Sequence, residues 1–199
     1  MPRDFRSLPL GELLDELAAA DPAPGSGAVA ALVVSAAGAL LTGAARASRE
    51  TWPEAGGVAA QAALLRTRGL DLAREISDAY ARALAILQSP AGDSAEERDA
   101  SIAYAVSRAA DVPLEIVRAA GDAAELAALV GERGDPATHG DVGAAALLAA
   151  GAARAAASLV DINLTAMPGD PRVGRARQLA EEAEYAARRA LGGRWQTLN

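Results

Sequence analysis

The spacing of apolar residues along the chain predicts a series of amphipathic helices. Near the N-terminus, four leucines recur at the i, i+3, i+4, i+7 spacing of one helix face: Leu10, Leu13, Leu14 and Leu17. Ser7 is the expected N-cap of this helix. β-Branched and aromatic residues are sparse, and no segment alternates with a period of two for long. The pattern therefore favours an all-α protein.

Further helices are expected over about residues 28–47, 58–87, 94–130, 141–164 and 174–191. Ser94 and Glu97 have the spacing of a capping box. Pro113 is expected to end or kink the segment that contains it, with Asp111 as a possible N-cap of the continuation. There is no internal repeat at a fixed period. The sequence thus predicts a single-domain helical bundle of six or seven helices over residues 1–199.

The second predicted helix is apolar on all sides. Residues 28–45 contain only Ser35 and Thr42 as polar side chains, so their length and composition also fit a membrane span. The segment is mostly alanine and glycine and has no aromatic belt. Because the central helix of a soluble bundle is apolar all round as well, we expect no membrane association.

Composition adds two constraints on packing and partners. The chain has 199 residues, of which 54 are alanine, so the apolar side chains are mostly small. Small side chains allow close helix packing but bury little area each, which favours an oligomer that adds burial. The formal net charge of −7 disfavours nucleic acid or an anionic membrane as partner.

Residue usage also excludes several kinds of chemistry. All 19 basic residues are arginine, so no lysine catalysis is available. The chain contains no cysteine and a single histidine, so we expect no disulfide, no thiolate nucleophile and no metal site. The N-terminal segment lacks the apolar core of a signal peptide, and a cytoplasmic location is expected.

The segment DPAPGSGAVAAL, residues 21–32, is the first candidate ligand site. Pro22 and Pro24 stiffen its approach, whereas Gly25 and Gly27 allow conformations closed to other residues and let a ligand approach the backbone. The following helix offers unpaired N–H groups and a positive dipole end for a carboxylate or phosphate. A tight connection between two packed helices is the alternative. No P-loop motif is present.

The segment GDPATHGDVG, residues 134–143, is the second candidate and overlaps a loop expected over residues 131–141. Asp141 is positioned either to cap the following helix or to act as a general base or bind a cationic substrate. His139 is a candidate because histidine is the side chain type that changes charge near neutral pH, although a lone loop histidine is more often simply exposed.

Two polar stripes complete the candidates. Arg154, Ser158 and Asp161 share one face of a predicted helix. Arg154 and Asp161 are therefore candidates for a buried pair or an anion clamp for a substrate carboxylate, with a solvated stripe as the alternative. A second stripe is more typical of a solvated face than of an acid/base cluster: Asp71, Glu75, Asp78 and Arg82.

Four segments, in order, resemble the formiminotransferase-cyclodeaminase family, which includes free-standing methenyltetrahydrofolate cyclohydrolases. The segment SLPLGELLDELAAADPAPGSGAVAAL resembles the family's Leu-rich first helix, glycine loop and Ala-rich helix. DVPLEI resembles its VPLE segment, GDPATHGDVGAAALLAAGA its Asp-x-Gly loop and helix start, and VDINL its Val-x-Ile-Asn helix end. The resemblance spans about residues 7–190.

The resemblance implies an all-α fold, a homodimer, and a tetrahydrofolate derivative as substrate without a tightly bound cofactor. The implied reaction is hydrolysis of 5,10-methenyltetrahydrofolate to 10-formyltetrahydrofolate, or cyclisation of 5-formiminotetrahydrofolate with release of ammonia. Asp141 is the implied acid/base residue. The expected substrate-binding residues are Pro24, Gly25, Ser26, Gly27, His139 and Arg154.

Several polar positions differ from the family's pattern. Ser26 stands where the family prefers glycine, Leu159 where it has asparagine, and Arg49 is the nearest cation in a segment that is basic in the family. The alternative hypothesis is therefore a non-catalytic helical homodimer of the same fold, binding another small molecule or a protein partner.

Overall fold

The computed structural model describes residues 8–19, 25–88, 92 and 94–192. Within them the chain forms seven α-helices and no strand, which confirms the all-α prediction. The helices are α1 (Leu10–Ala18), α2 (Ser26–Ala47), α3 (Ala55–Gln88), α4 (Ala95–Ala109), α5 (Asp111–Arg133), α6 (His139–Asn163) and α7 (Pro171–Leu191). Short 3₁₀ helices occupy Ser48–Glu50 and Pro136–Thr138.

Local capping signals explain where some helices begin. The capping box of α4 is confirmed: the Glu97 backbone N–H donates to Ser94 Oγ, and the Ser94 backbone N–H donates to Glu97 Oε2, both at 3.1 Å. Pro9 occupies the N-cap position of α1, and the predicted cap Ser7 lies outside the described residues.

The predicted interruption near Pro113 is present, but its cap differs from the prediction. Ala110 separates α4 from α5, and Asp111 is the first residue of α5 rather than its N-cap. Pro113 lies in the first turn of α5, where its missing N–H removes no helical hydrogen bond. The carboxylate of Asp111 instead binds Arg108 and Arg172.

The segment predicted as a loop over residues 131–141 is mostly helical. Asp135 caps the short 3₁₀ helix, because its Oδ1 accepts from the Ala137 N–H at 2.8 Å. The helix α6 then begins at His139, so Asp141 is its third residue and the expectation that Asp141 is the N-cap was wrong.

The last helix starts earlier than predicted. Asp170 is its N-cap, accepting from the Arg172 backbone N–H at 2.9 Å, and Pro171 is its first residue rather than Gly174. An acidic N-cap followed by proline is a strong helix start, since proline's fixed φ suits the first turn.

The helices α2 and α3 cross in backbone contact. A Cβ on Gly38 would lie 2.7 Å from the Arg66 backbone N, and one on Gly69 would lie 2.6 Å from the Ser35 backbone N. Ser35 Oγ donates across this contact to the Arg66 carbonyl at 2.8 Å. Two glycines therefore set the distance between these helices.

The helices α2 and α6 run antiparallel side by side. At one end, Gly27 of α2 lies against Leu159 near the end of α6. At the other end, the Asp135 N–H, just ahead of α6, donates to Ser48 Oγ at 2.8 Å. The start of α2 is therefore beside the end of α6.

By length and composition, two helical stretches could cross a membrane, namely Ser26–Glu50 and Pro136–Asn163. More than half of each apolar window is buried inside the bundle, as in the core helices of soluble proteins.

Candidate functional site

The glycine segment lies at the start of α2. Gly25 occupies the N-cap position and Ser26 is the first helical residue, and both are exposed, whereas Pro24 lies outside the described residues. No side chain of the described residues caps this helix. Within the described residues, no side chain compensates the partial positive charge of its first turn, which suits an anionic group.

The two glycines do not have the unusual backbone that the sequence suggested. Gly25 is extended, with φ −66° and ψ −173°, and Gly27 is an ordinary helical residue. The constraint on Gly27 is packing, because an added Cβ would clash with Ile76 Cδ1 and lie 3.3 Å from Leu159 Cδ1. The expectation of conformations closed to other residues was wrong for both positions.

The second candidate site lies in the first turn of α6. Asp141 is exposed and has no hydrogen bond or ion pair within the described part of the chain. Its carboxylate lies where the helix dipole favours negative charge. His139, the first residue of α6, is half-buried. This turn thus presents an accessible carboxylate beside the histidine.

These two candidate sites lie far apart within one chain. Gly27 is beside Leu159, and eighteen residues of continuous α6 separate Leu159 from Asp141. At 1.5 Å per residue this is roughly 27 Å. A general base must lie within hydrogen-bond reach of the reacting group. One chain therefore does not place Asp141 close to a group that is bound at the glycine segment.

Arg154 and Asp161 each bind the neighbouring helix α7. Arg154 Nε donates to Glu184 Oε1 at 2.7 Å, and Arg177 donates to Asp161 Oδ1 at 2.9 Å. The predicted Arg154–Asp161 pair was wrong. Each of the two side chains instead binds an opposite charge on α7, whereas along α6 the two residues are about two turns apart. Both side chains are exposed, so neither forms a buried pair.

The acidic stripe on α3 is partly covered. Glu75 accepts a hydrogen bond from Arg68 at 2.8 Å and is half-buried, as is Asp78, whereas Arg82 is exposed. This arrangement is a surface ion pair on a helix rather than a group of carboxylates facing one cleft.

Sequence reasoning missed an ion-pair cluster at the start of α7. Arg172 donates to Asp170 Oδ2 at 2.8 Å, to Asp111 Oδ1 at 2.7 Å and to the Ser107 carbonyl at 2.9 Å. Hydrogen bonds from Arg172 lower the pKa of Asp170 to about 2, and the same bond raises the pKa of Arg172. The Asp-Pro pair was the available sequence signal.

The described residues form an all-α bundle in which α2 begins at the glycine segment. The family model described as formiminotransferase-cyclodeaminase matches residues 9–184. The chain belongs to the formiminotransferase-cyclodeaminase family. A search of curated proteins finds no significant match.

A solved structure supports the fold. The formiminotetrahydrofolate cyclodeaminase of Thermotoga maritima is similar to this chain with a TM-score of 0.81 and 24% sequence identity. The alignment covers 96% of this chain and 98% of that one.

Proposed function

We propose that this protein is a folate-dependent one-carbon enzyme. It hydrolyses 5,10-methenyltetrahydrofolate to 10-formyltetrahydrofolate, or cyclises 5-formiminotetrahydrofolate with release of ammonia. Family membership over residues 9–184 supports the folate substrate. Asp141, exposed in the first turn of α6, supplies the carboxylate that both reactions need to move a proton.

The active unit in this proposal is a homodimer whose sites each combine two chains. The observation that carries it is the separation of roughly 27 Å between Gly27 and Asp141, set by the antiparallel α2 and α6. A second copy, turned end to end, brings its own glycine segment to the end of the bundle where Asp141 lies.

The exposed faces of α2 and α6 support this dimer. They carry small or aliphatic residues over about four turns of α2 and about five turns of α6: Val29, Ala36, Ala39 and Gly43 on α2, and Ala144, Leu147, Leu148, Gly151, Ala155 and Ile162 on α6. Leu147 and Ile162 are 46% and 62% exposed. An apolar area of this extent is typical of an interaction surface.

A two-fold axis fits the lengths of these helices. Gly151 is the middle residue of α6, so an axis at Gly151 places Asp141 of one chain beside the end of the partner's α6. The partner's Gly27 lies at that end, against the partner's Leu159. Each dimer then contains two equivalent sites, and no site is complete in a single chain.

The residues have distinct roles in the hydrolysis. The uncapped start of α2, with Gly25, Ser26 and Gly27, binds a carboxylate of the folate. Asp141 accepts a proton as water adds to the methenyl carbon, and returns it to N5 as the C–N5 bond breaks. The second proton of the water leaves to solvent as the hydroxyl becomes the formyl carbonyl. His139 and Arg154 are proposed to contact the substrate.

The reaction is tested by the loss of methenyltetrahydrofolate absorbance with purified protein. The native chain should exceed the spontaneous rate, and Asp141→Ala should fall to it, whereas Asp99→Ala on α4 should not. Reduced folates should also raise the melting temperature of the native protein. The proposal is contradicted if the native chain gives only the spontaneous rate and reduced folates do not raise its melting temperature. Stabilisation without turnover of either substrate contradicts the enzyme and supports the non-catalytic homodimer.

Mixing two inactive variants tests the composite site. Asp141→Ala removes the carboxylate, and Ser26→Trp blocks the exposed glycine segment. Each mixed dimer then has one intact site, so an equal mixture should recover about a quarter of native activity. A site formed within one chain would recover none.

A further inference from the structure

A groove of about 670 Å³ lies between α3 and α5, beside the end of α7. Its apolar wall is formed by four leucines: Leu64 and Leu65 on α3, and Leu126 and Leu129 on α5. This volume is within the usual range for small-molecule sites. Among the described residues, none of the glycine segment and none of the Asp141 turn lines the groove.

The two arginines that line the groove are already paired. Arg189 donates to Glu125 and to Glu132, both at 3.0 Å, and these contacts raise its pKa. Arg68 donates to Glu75 at 2.8 Å. An anionic ligand would have to compete with these carboxylates for each guanidinium, and would also approach the negative charge of Asp122.

Asp122 is the one charged group of the groove wall without a partner in the described part of the chain. It remains accessible to solvent, and its partial burial raises the pKa of its carboxyl. Loss of water around a carboxylate is offset best by a charged hydrogen-bond donor. The wall therefore combines an apolar surface with one carboxylate that has no partner among the described residues.

We propose that this groove is a second binding site, selective for small organic amines with an apolar body. The ammonium group binds Asp122, and the apolar body covers the leucine wall. Charge selects this occupant, because Arg68 and Arg189 are already paired with Glu75, Glu125 and Glu132. Together with Asp122, which has no partner among the described residues, these carboxylates outnumber the two arginines and give the groove a negative balance. Folates carry carboxylates and should not bind here, so the site is separate from the proposed catalytic one.

Isothermal titration calorimetry of the full-length protein tests the proposal with three probes of equal length. Octylamine, octanol and octanoate each contain eight carbons and carry a cationic, a neutral and an anionic head group. Octylamine should bind saturably and roughly tenfold to hundredfold more tightly than octanol. This ratio corresponds to the contribution of one hydrogen bond to a charged group. Octanoate should be the weakest. Equal affinity for octylamine and octanol, or no saturable binding of octylamine, overturns the proposal.

Matched variants locate the binding. Asp122→Asn keeps the shape of the side chain and should remove the preference for octylamine over octanol, whereas Asp99→Asn on α4 should leave it unchanged. Leu64→Gln alters a side chain that is 70% exposed, so the fold is retained and the affinity for both probes should fall together. A preference that survives Asp122→Asn overturns the assignment. Folate turnover should be unchanged in Asp122→Asn, which separates this outcome from that of the catalytic proposal.

Discussion

Arg172 donates a hydrogen bond to the carboxylate of Asp111 at 2.7 Å, across 61 positions of sequence. The contact joins the first turn of α7 to the first turn of α5. Arg172 also binds the carbonyl and the hydroxyl of Ser107 at the end of α4. Its side chain is only 23% exposed, so this arginine connects three helices at one end of the bundle.

Replacement of Arg172 should destabilise the fold. Arg172→Met keeps the aliphatic part of the side chain and removes every charged donor, leaving Asp111 and Asp170 without their shared partner. We expect a loss of about 1–3 kcal/mol in the free energy of unfolding, measured by urea denaturation. Arg175→Met, three residues further along α7 at an exposed position, is the control and should change little. Equal losses in the two variants would show that the cluster is not stabilising.

The lowered pKa of Asp170 predicts a dependence of stability on acid pH. An aspartate in the unfolded chain has a pKa of about 3.9, whereas the pKa of Asp170 in the fold is about 2. Between these two pKa values the folded chain binds fewer protons than the unfolded chain. Ionised Asp170 therefore contributes fully to the free energy of unfolding above about pH 4, and this contribution is lost as the pH falls towards about 2. Asp170→Asn should flatten the fall in unfolding free energy between pH 5 and 2. An unchanged slope contradicts the prediction.

The glycine contact between α2 and α3 predicts an unusual response to alanine. Gly69→Ala places a methyl group against the backbone of Ser35, so the helices must separate, and we expect a loss of about 1–3 kcal/mol. Gly121→Ala on α5 meets nothing within 4 Å and should instead stabilise by about 1 kcal/mol through helix propensity. Urea denaturation should therefore show that the free energy of unfolding decreases in Gly69→Ala and increases in Gly121→Ala. Stabilisation by both would mean that the contact is loose.

The proposed dimer predicts that one charge on its face separates the chains. Leu147→Glu alters an exposed side chain, so each chain should still fold, but two carboxylates would be buried in the interface. Light scattering after size exclusion should give half the native mass, with loss of folate turnover. Leu64→Glu on α3 is the matched control at another exposed leucine and should keep the native mass and activity. A monomeric native protein contradicts the dimer directly.

Features that depend on a few neighbouring residues were predictable from the sequence. The helix predicted from the leucine spacing (α1) and the Ser94–Glu97 capping box each depend on about two turns of chain, and the structure contains both. The errors at the starts of α6 and α7 were also local, since Asp135 and Asp170 each precede a proline and each cap a helix. Asp141 is also an aspartate, but it is the third residue of α6 and therefore does not occupy the N-cap position.

The sequence by itself determined that the chain is helical, that its helices pack closely through alanine and glycine, and that four segments match one family. Only the tertiary structure decided which helices are neighbours. The antiparallel order of α2 and α6 separates Gly27 from Asp141, and α7 supplies the partners of Arg154 and Asp161. Periodicity shows which face of a helix is apolar, but the partner of that face depends on the packing of the whole chain.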